Sequence, residues 1–285
     1  MEWAKATFSQ LLKLAVERLQ AAGCDGAALD ARLLLQEASG FDRSRLLIRE
    51  NDRVPLDVID QFENYIARRE AREPVFRILG AREFHGLSLK LGPDTLEPRD
   101  DTECLVEVAL DQISDKAASL RFLDLGTGSG AVVLALLSEL PNARAVATDM
   151  SIETLKIAQD NATDHGLHKQ LELVHGSWLE PVEGRFDFIV SNPPYIATKV
   201  VNKLAPEVLN HDPRVALDGG KDGLDAYREI LKSACDYLKK DGFLAFEIGY
   251  DQLVTVKSLG ESLGWNFIAV GRDLSGNDRA MTFKR

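Results

Sequence analysis

Asn192-Pro193-Pro194-Tyr195 is the tetrapeptide whose residue types and order are best suited to chemistry. It follows Phe186–Ser191, a short apolar run of buried-strand type. Two consecutive prolines cannot continue a parallel strand, because neither has an N–H to donate and both fix φ. The strand must stop, and Asn192 sits at its carboxyl end, where open α/β sheets bind ligands. An Asn held by a rigid turn, with an aromatic after it, suits a planar amino or amide group. Its carbonyl and the Pro193 carbonyl can accept both N–H hydrogens, while the ring of Tyr195 covers one face. Taken alone, the tetrapeptide also reads as a proline-rich loop behind an Asn-Pro turn.

A second constellation lies upstream. Phe122-Leu123-Asp124-Leu125 reads as a strand, followed by Gly126-Thr127-Gly128-Ser129-Gly130 and an apolar helix. Glycines let the backbone turn tightly and let a ligand approach where a side chain would block it. Asp149 comes 19 residues after Gly130, at the end of the next expected strand. A carboxylate there can accept bonds from both ribose hydroxyls. Gly126-x-Gly128-x-x-Ala131 also satisfies the dinucleotide fingerprint, so the loop by itself does not separate NAD from another adenosyl cofactor. Without a ligand it is a tight strand–helix turn.

These residues need elements to hold them. From Leu120 onward, strands and helices alternate. Strands are expected at Ala143–Thr148, Leu171–Val174, Phe186–Ser191, Phe243–Ile248, Trp265–Val270 and Met281–Lys284. Helices are expected at Ala131–Leu140, Ile152–His165, Asp225–Lys240 and Gln252–Leu263. The alternation predicts an α/β fold with a doubly wound, mostly parallel sheet. Right-handed crossovers then bring the strand-end loops to one edge. Residues 1–74 read as a small all-α bundle. Thr7-Phe8-Ser9-Gln10 has capping-box spacing, and Leu11, Leu12, Ala15, Val16 and Leu19 follow at helical period. A second stripe is Leu29, Leu33, Leu34 and Ala38, a short helix spans Ser44–Arg49, and Pro55 opens a fourth with Leu56, Ile59, Phe62 and Ile66 inside. Residues 75–100 read as a β-hairpin connector, with strands at Val75–Leu79 and Leu87–Leu91. A helix opens at Arg99 and runs to about Ser114. The expected division is 1–74, 75–100 and 101–285.

Composition narrows the function classes. The net charge is −11, of which residues 1–75 carry −2 (11 basic against 13 acidic) and the remainder −9. Neither part is a counterion-releasing nucleic-acid binder, so nucleic acid is disfavoured as a partner. No apolar run approaches the roughly 20 residues of a membrane span. The stretch Met1–Ala6 lacks an apolar signal core, and the first 20 residues carry Glu2 and Glu17, so neither a secretory nor a transit peptide is expected. Cys24, Cys104 and Cys235 have neither metal-ligand spacing nor a disulfide framework, which suits a reducing cytoplasm. No metal site is expected.

Asp124-Leu-Gly-Thr-Gly-Ser-Gly130, then Asp149, then Asn192-Pro-Pro-Tyr195 together resemble class I methyltransferases, a Rossmann-like fold using S-adenosyl-L-methionine. The match narrows with Glu73-Pro74-Val75, Glu83-Phe84-His85-Gly86-Leu87, Pro93-Asp94-Thr95-Leu96, Pro98-Arg99 and Asp101-Thr102-Glu103. His211-Asp212-Pro213-Arg214, Ala216-Leu217-Asp218-Gly219-Gly220, Asp222-Gly223-Leu224 and Arg272-Asp273-Leu274 extend it. Over about the whole chain these resemble the peptide chain release factor glutamine methyltransferases, the HemK/PrmC family. The resemblance implies cofactor contacts from Gly126, Thr127, Gly128, Ser129, Gly130, Asp149, Trp178 and Asn192. It implies a catalytic set of Asn192, Pro193 and Tyr195, and substrate contacts from Asn192, Pro193, Pro194 and Tyr195. The substrate it implies is the glutamine amide of the Gly-Gly-Gln loop of a release factor, with S-adenosyl-L-homocysteine as product. No general base is nominated. Glu247 and His211 are rim candidates, and Glu247 also reads as a structural acceptor at a strand end. Ser177 stands where many relatives have Asp, Glu97 where an apolar residue is usual, and Asp100 where Pro is usual.

Rival readings keep parts of this pattern. A glutamine methyltransferase acting on a ribosomal protein, or an adenine amino-group methyltransferase acting on DNA or RNA, shares the chemistry. The latter needs a basic groove and an extruded base. An NAD(P) oxidoreductase fits the glycine loop but leaves Asn192–Tyr195 unexplained. A non-enzymatic binding module would require that the protein transfer no methyl group to any substrate.

Overall fold

In the computed structural model, residue 3 and residues 5–285 are described. Met1, Glu2 and Ala4, part of the stretch read for a signal core, lie outside them. The described chain forms two compact units. One runs to Ala81 and includes Pro206–His211; the other comprises Arg82–Ala205 and Asp212–Arg285.

The first unit is helical: α1 (Phe8–Ala21), α2 (Ala27–Ser39), α3 (Arg43–Ile48), α4 (Leu56–Glu70) and α5 (Val75–Leu79). Thr7 caps α1 as its spacing predicts. Its side chain accepts from the Gln10 N–H, and the Gln10 side chain accepts from the Thr7 N–H. Leu11, Ala15 and Leu19 pack with Leu34, Ile59, Phe62 and Ile66 in one apolar core. Leu29 and Leu56 lie outside it, 49% and 64% exposed. Leu29 falls off the Ala27, Ala31, Leu34, Leu35, Ala38 stripe that α2 buries, and Leu56 is the first residue of α4.

The strand expected at Val75–Leu79 is a helix. Pro74 supplies an extended N-cap, Gly80 (φ 78°) ends the turn, and Val75 and Ile78 are buried at helical spacing. A five-residue apolar run does not by itself distinguish strand from helix. The hairpin is correspondingly shorter, β1 (Ala81–Phe84) and β2 (Leu87–Lys90) around His85-Gly86. The segment Pro206–His211 forms α10 within the helical unit, held where Arg72 Nε meets Glu207 Oε1 at 2.6 Å and Arg69 Nη1 meets it at 3.1 Å. These guanidiniums lower the Glu207 pKa to about 2. No local pattern marks this segment as part of the bundle.

The second unit holds a seven-stranded sheet, order β5-β4-β3-β6-β7-β9-β8. Its strands are β3 (Arg121–Leu125), β4 (Arg144–Asp149), β5 (Leu171–His175), β6 (Phe186–Ser191), β7 (Leu238–Glu247), β8 (Asn266–Arg272) and β9 (Asp278–Lys284). Only β9 runs antiparallel to its neighbours. The helices are α6 (Glu103–Leu110), α7 (Ala131–Glu139), α8 (Ile152–Asp164), α12 (Asp225–Ser233) and α13 (Leu253–Ser262), with short α9 (Thr198–Val201) and α11 (Arg214–Leu217). Apolar cores line the two faces of the sheet, one with the stacked rings of Phe122, Phe188 and Phe243. A doubly wound, mostly parallel architecture is what the alternation predicts. Two helices are shorter than expected. A 3₁₀ turn at Asp100–Thr102 precedes α6, which ends at Leu110; α12 ends at Ser233 and gives way to a 3₁₀ turn at Ala234–Tyr237. Leu238 then pairs with Phe186, and Lys239–Gly242 bulge before Phe243 pairs with Phe188. The polar run carries no apolar period to hold it in a helix.

Gly130 opens α7 with φ +85°, and a Cβ there would sit 3.2 Å from Leu134 Cδ1 and 3.4 Å from Ala158 Cβ. Gly130→Ala should lower stability by about 1–2 kcal/mol. Chemical denaturation checks this, and an unchanged midpoint contradicts it. Asp124 is buried in β3, where it accepts the Thr127 hydroxyl at 2.6 Å. Burial raises its pKa to about 7, opposed by that hydrogen bond and reinforced by Asp149. Between its ordinary value of about 4 and that raised value, the unfolded chain loses the proton and the folded chain keeps it. The contribution to stability is therefore full at acid pH and lost as pH rises through the raised value. Asp124→Asn should gain stability relative to the parent between pH 5 and pH 8. A midpoint difference that is flat or shrinks with pH contradicts this.

Candidate active site

The parallel register places the expected residues together. Leu125 of β3 pairs with Thr148 of β4 on one side and Ser191 of β6 on the other. The chain winds outward from β3 to β4 and β5, then returns to β6 against the opposite edge of β3. That reversal is a topological switch point, where a crevice opens. Gly126, Asp149 and Asn192 each follow or end one of these strands. A cavity of about 390 Å³ lies there, with Gly126, Gly128, Asp149, Trp178, Asn192 and Pro194 in its wall.

One wall is suited to an adenosyl group. Gly126 has φ +72°, and a Cβ on it would lie 3.2 Å from Trp178 Cζ3, so only glycine leaves the loop this close to the indole. Trp178 itself has φ 43°, uncommon for a bulky residue; the Thr148 hydroxyl donates to its carbonyl at 3.1 Å. Asp149 Oδ2 accepts from the Gly128 N–H and Oδ1 from the Ser151 N–H, each at 3.0 Å. Two carboxylate oxygens offer about four lone-pair sites, so the group retains capacity toward the cavity. A glycine floor, an indole wall and an acid at the second strand fit the cofactor implied by the sequence resemblance.

Other expected contacts lie elsewhere. Thr127 is buried with its hydroxyl on Asp124, Ser129 is buried with its carbonyl accepting from Asn161 Nδ2, and Gly130 packs against α8. None of these three lines the cavity. They shape the loop, and its cavity-facing positions are the alternate residues Gly126 and Gly128. Ser177 lies on the wall, in place of the acid many relatives carry.

Asn192 occupies the opposite wall. Its Nδ2 donates to Thr102 Oγ1 at 3.3 Å, while Oδ1 has no hydrogen-bond partner among the described residues. Pro194 lines the cavity; Pro193 is buried behind it, and Tyr195 is off the wall. The Tyr195 ring packs on the sheet core beside β7, and its hydroxyl donates to Glu247 Oε1 at 3.1 Å. Burial, then the Glu247 carboxyl, pushes the phenol well above its usual pKa. Glu247 is 2% exposed, and burial raises its pKa to about 7 against hydrogen bonds from Thr102 and Tyr195. It is the structural acceptor the strand-end position suggested, and it does not line the cavity. His211 belongs to α10 of the helical unit and does not line it either.

Several wall residues have no site role assigned to them in the sequence reading. Val215, Ala216, Gly219 and Gly220 line the cavity, as do Asp225 and Glu229 of α12. The Ala216–Gly220 run offered a signal, because a double glycine after a short apolar run marks a tight approach. Ile196 N–H donates to Leu217 O at 3.0 Å and Gly219 N–H to Ile196 O at 2.9 Å, which backs the proline turn with this run. The unusual Glu97 and Asp100 share one partner: Arg82 Nη1 meets Glu97 Oε1 at 2.5 Å and Nη2 meets Asp100 Oδ1 at 2.7 Å. Leu96 and Asp94, just before them, line the cavity.

Comparison with known proteins fits this geometry. Residues 10–80 match the model of the PrmC N-terminal domain, and residues 101–221 that of the methyltransferase small domain. The release factor glutamine methyltransferase of Agrobacterium fabrum is 46% identical over 283 residues, covering 98% of each chain. That of Cereibacter sphaeroides is 44% identical over 271 residues, covering 95% of this chain and 96% of its own. Among solved structures, the hMettl16 catalytic domain has a TM-score of 0.56 at 19% identity, over 74% of this chain and 81% of that one. A methyltransferase from Pyrococcus furiosus has a TM-score of 0.52 at 21% identity, over 78% and 96%. At such identities these two speak for the fold alone. With full-length relatives above 40% identity and both family models matched in order, the chain belongs to the release factor glutamine methyltransferase family.

Proposed function

We propose that this chain methylates the side-chain amide nitrogen of the glutamine in the Gly-Gly-Gln motif of peptide chain release factors, with S-adenosyl-L-methionine as donor and S-adenosyl-L-homocysteine and one proton, lost from the amide nitrogen to water, as products. The observation that carries the reading is Asn192 at the tip of β6, its Oδ1 without a hydrogen-bond partner among the described residues, in the wall of a cavity also lined by Gly126, Asp149 and Trp178. When bound, the cofactor supplies an electrophilic methyl group on a positively charged sulfur. An amide nitrogen is a poor nucleophile, because its lone pair is delocalised into its carbonyl. Asn192 Oδ1 and the Pro193 carbonyl accept the two amide hydrogens and hold the nitrogen toward the cavity. Both acceptors favour electron density on that nitrogen. Neither is a strong base, so the residues act through orientation and fixed dipoles. Holding reactants in near-attack geometry is worth roughly 7–11 kcal/mol. Pro194 is rigid at the wall, and Tyr195 anchors the turn from behind through Glu247.

Asp149 holds the ribose hydroxyls, Trp178 borders the adenine, and Gly126 and Gly128 leave room for the methionine portion. The helical unit, which carries no catalytic constellation, recognises the release factor. No described helix is long and apolar enough to cross a membrane, and the reaction is assigned to the cytoplasm, in keeping with cysteines spaced for no disulfide framework. No observation favours a ribosomal protein or a nucleic acid as substrate instead.

Incubating a release factor with the chain and isotopically labelled cofactor, followed by tandem mass spectrometry, tests the reading. One added methyl on the Gly-Gly-Gln glutamine is expected; an unmodified glutamine overturns it. Asn192→Ala should cut methyl transfer by about 100-fold or more, the scale of losing one pre-set electrostatic partner. Cofactor affinity by calorimetry should stay near the parent value, and a fully active variant removes Asn192 from the role. Asp149→Ala should weaken cofactor binding about 10–100-fold, as expected for losing charged hydrogen bonds. Unchanged affinity would remove the ribose assignment.

A further inference from the structure

A pair of prolines brings no N–H to a turn, so the middle of the Asn192–Tyr195 turn can be held only through its carbonyls and its neighbours. In the proposed reaction the Pro193 carbonyl receives the substrate amide. The first carbonyl beyond the prolines, that of Tyr195, accepts from Gln252 Nε2 at 3.0 Å. The same nitrogen donates to Gly223 O at 3.3 Å, which uses both of its protons. At the other end of this side chain, Gln252 Oε1 accepts the Gly249 N–H at 3.0 Å. The two ends of a carboxamide are alike in shape, but here main-chain groups decide between them. An N–H only donates, and a carbonyl only accepts. Turned over, the Gln252 amide would set its oxygen against two carbonyl oxygens and its NH₂ against an N–H. The fit is close: Gly223 has φ +77°, and a Cβ on it would lie 2.3 Å from Tyr195 O and 2.9 Å from Gln252 Nε2.

We propose that Gln252 is a positioning residue: from outside the cavity wall, its side-chain amide pins the Tyr195 carbonyl and thereby sets where the Asn192 and Pro193 oxygens stand. The inference rests on the glutamine-methylating reading and deepens it. Gln252 sits at the N-terminus of α13 and is absent from the cavity wall. Its partners come from three segments: the proline turn, the glycine-bearing loop before α12 and the stretch after β7. The prolines transmit the anchor, because their rings fix φ and leave few torsions between Tyr195 and Asn192 to absorb a shift. Tyr195 is thus held at two points, its hydroxyl on Glu247 at 3.1 Å and its carbonyl on Gln252. A polar network whose members are satisfied rigidifies a single arrangement.

Gln252→Glu keeps the size of the side chain and an acceptor for the Gly249 N–H, but it sets a carboxylate oxygen against the Tyr195 and Gly223 carbonyls. In the folded variant kcat should fall about 100-fold, the scale of a small misplacement at a reacting centre. Cofactor affinity by calorimetry should stay within about threefold of the parent, so that the loss falls on the chemical step. A side chain that only filled space would tolerate the change. A second readout needs no activity. Asn192 Nδ2 lies 3.3 Å from Thr102 Oγ1. In ¹⁵N-labelled protein, the nuclear Overhauser contact between Asn192 Hδ2 and Thr102 Hβ should be present in the parent and lost in the Glu variant. If Gln252→Glu does not fold, Gln252→Met replaces it; that change keeps an unbranched chain of similar length and removes both hydrogen-bonding ends, and the same losses are expected. Parent-like kcat in the folded variant, a retained amide contact, or a loss of cofactor affinity as large as the loss of kcat overturns the proposal. If neither variant folds, Gln252 serves the fold and not the site, and the proposal is overturned. Should the parent chain transfer no methyl to a release factor, the functional reading fails, while the amide contact in parent and variant still decides whether Gln252 sets the position of Asn192.

Discussion

The structure depends on where one parallel strand is made to end. Pro193 and Pro194 cannot supply the N–H groups that would extend β6 along β3, so the ladder stops after Leu125 meets Ser191. Asn192 is left at the tip of β6, one strand away from the glycine loop that follows β3. On the other side of β3, β4 runs one register step further and ends on Asp149. Two strand endings and one loop therefore meet across the width of three strands, about 4.8 Å apart each. The wall residues need no long-range coincidence; they follow from strand order and strand length.

Around that frame, side chains divide into those that face the cavity and those that hold the ones that do. Gly126 and Gly128 are of the first kind, Thr127, Ser129 and Gly130 of the second. The same division recurs at the proline turn, where Asn192 and Pro194 face inward and Tyr195 is tethered to Glu247. Buried acids serve the holding role twice. Asp124 ties β3 to its loop, and Glu247 ties the turn to β7. Both are expensive to ionise where they sit, and both have pKa values raised to about 7 by burial.

The parts legible in the sequence are those set by local chemistry. Alternating apolar runs and helical stripes specify the doubly wound sheet, and glycines, prolines and strand-end acids mark the loops on its active edge. What escaped is set by partners distant in sequence. Val75–Leu79 is apolar enough for either state, and its flanking Pro74 and Gly80 decide for helix. Pro206–His211 joins the helical bundle through Glu207, whose partners Arg69 and Arg72 lie far upstream. Lys239–Gly242 leaves the helix because Leu238 already pairs with Phe186. Within the site, Asn192 was identifiable from its own neighbours. That Thr102 stands behind it, or that α12 closes the cavity, depends on tertiary packing no short motif records.

The central claim is that a partner's carboxamide is gripped by the side-chain oxygen of Asn192 and the main-chain oxygen of Pro193. A crystal structure of this chain with S-adenosyl-L-homocysteine and a Gly-Gly-Gln peptide tests it most directly. The account predicts the glutamine amide nitrogen within about 2.7–3.2 Å of both oxygens and on the side of the cavity facing the cofactor sulfur. A glutamine seated elsewhere, or an Asn192 turned out of the cavity into packing, contradicts it.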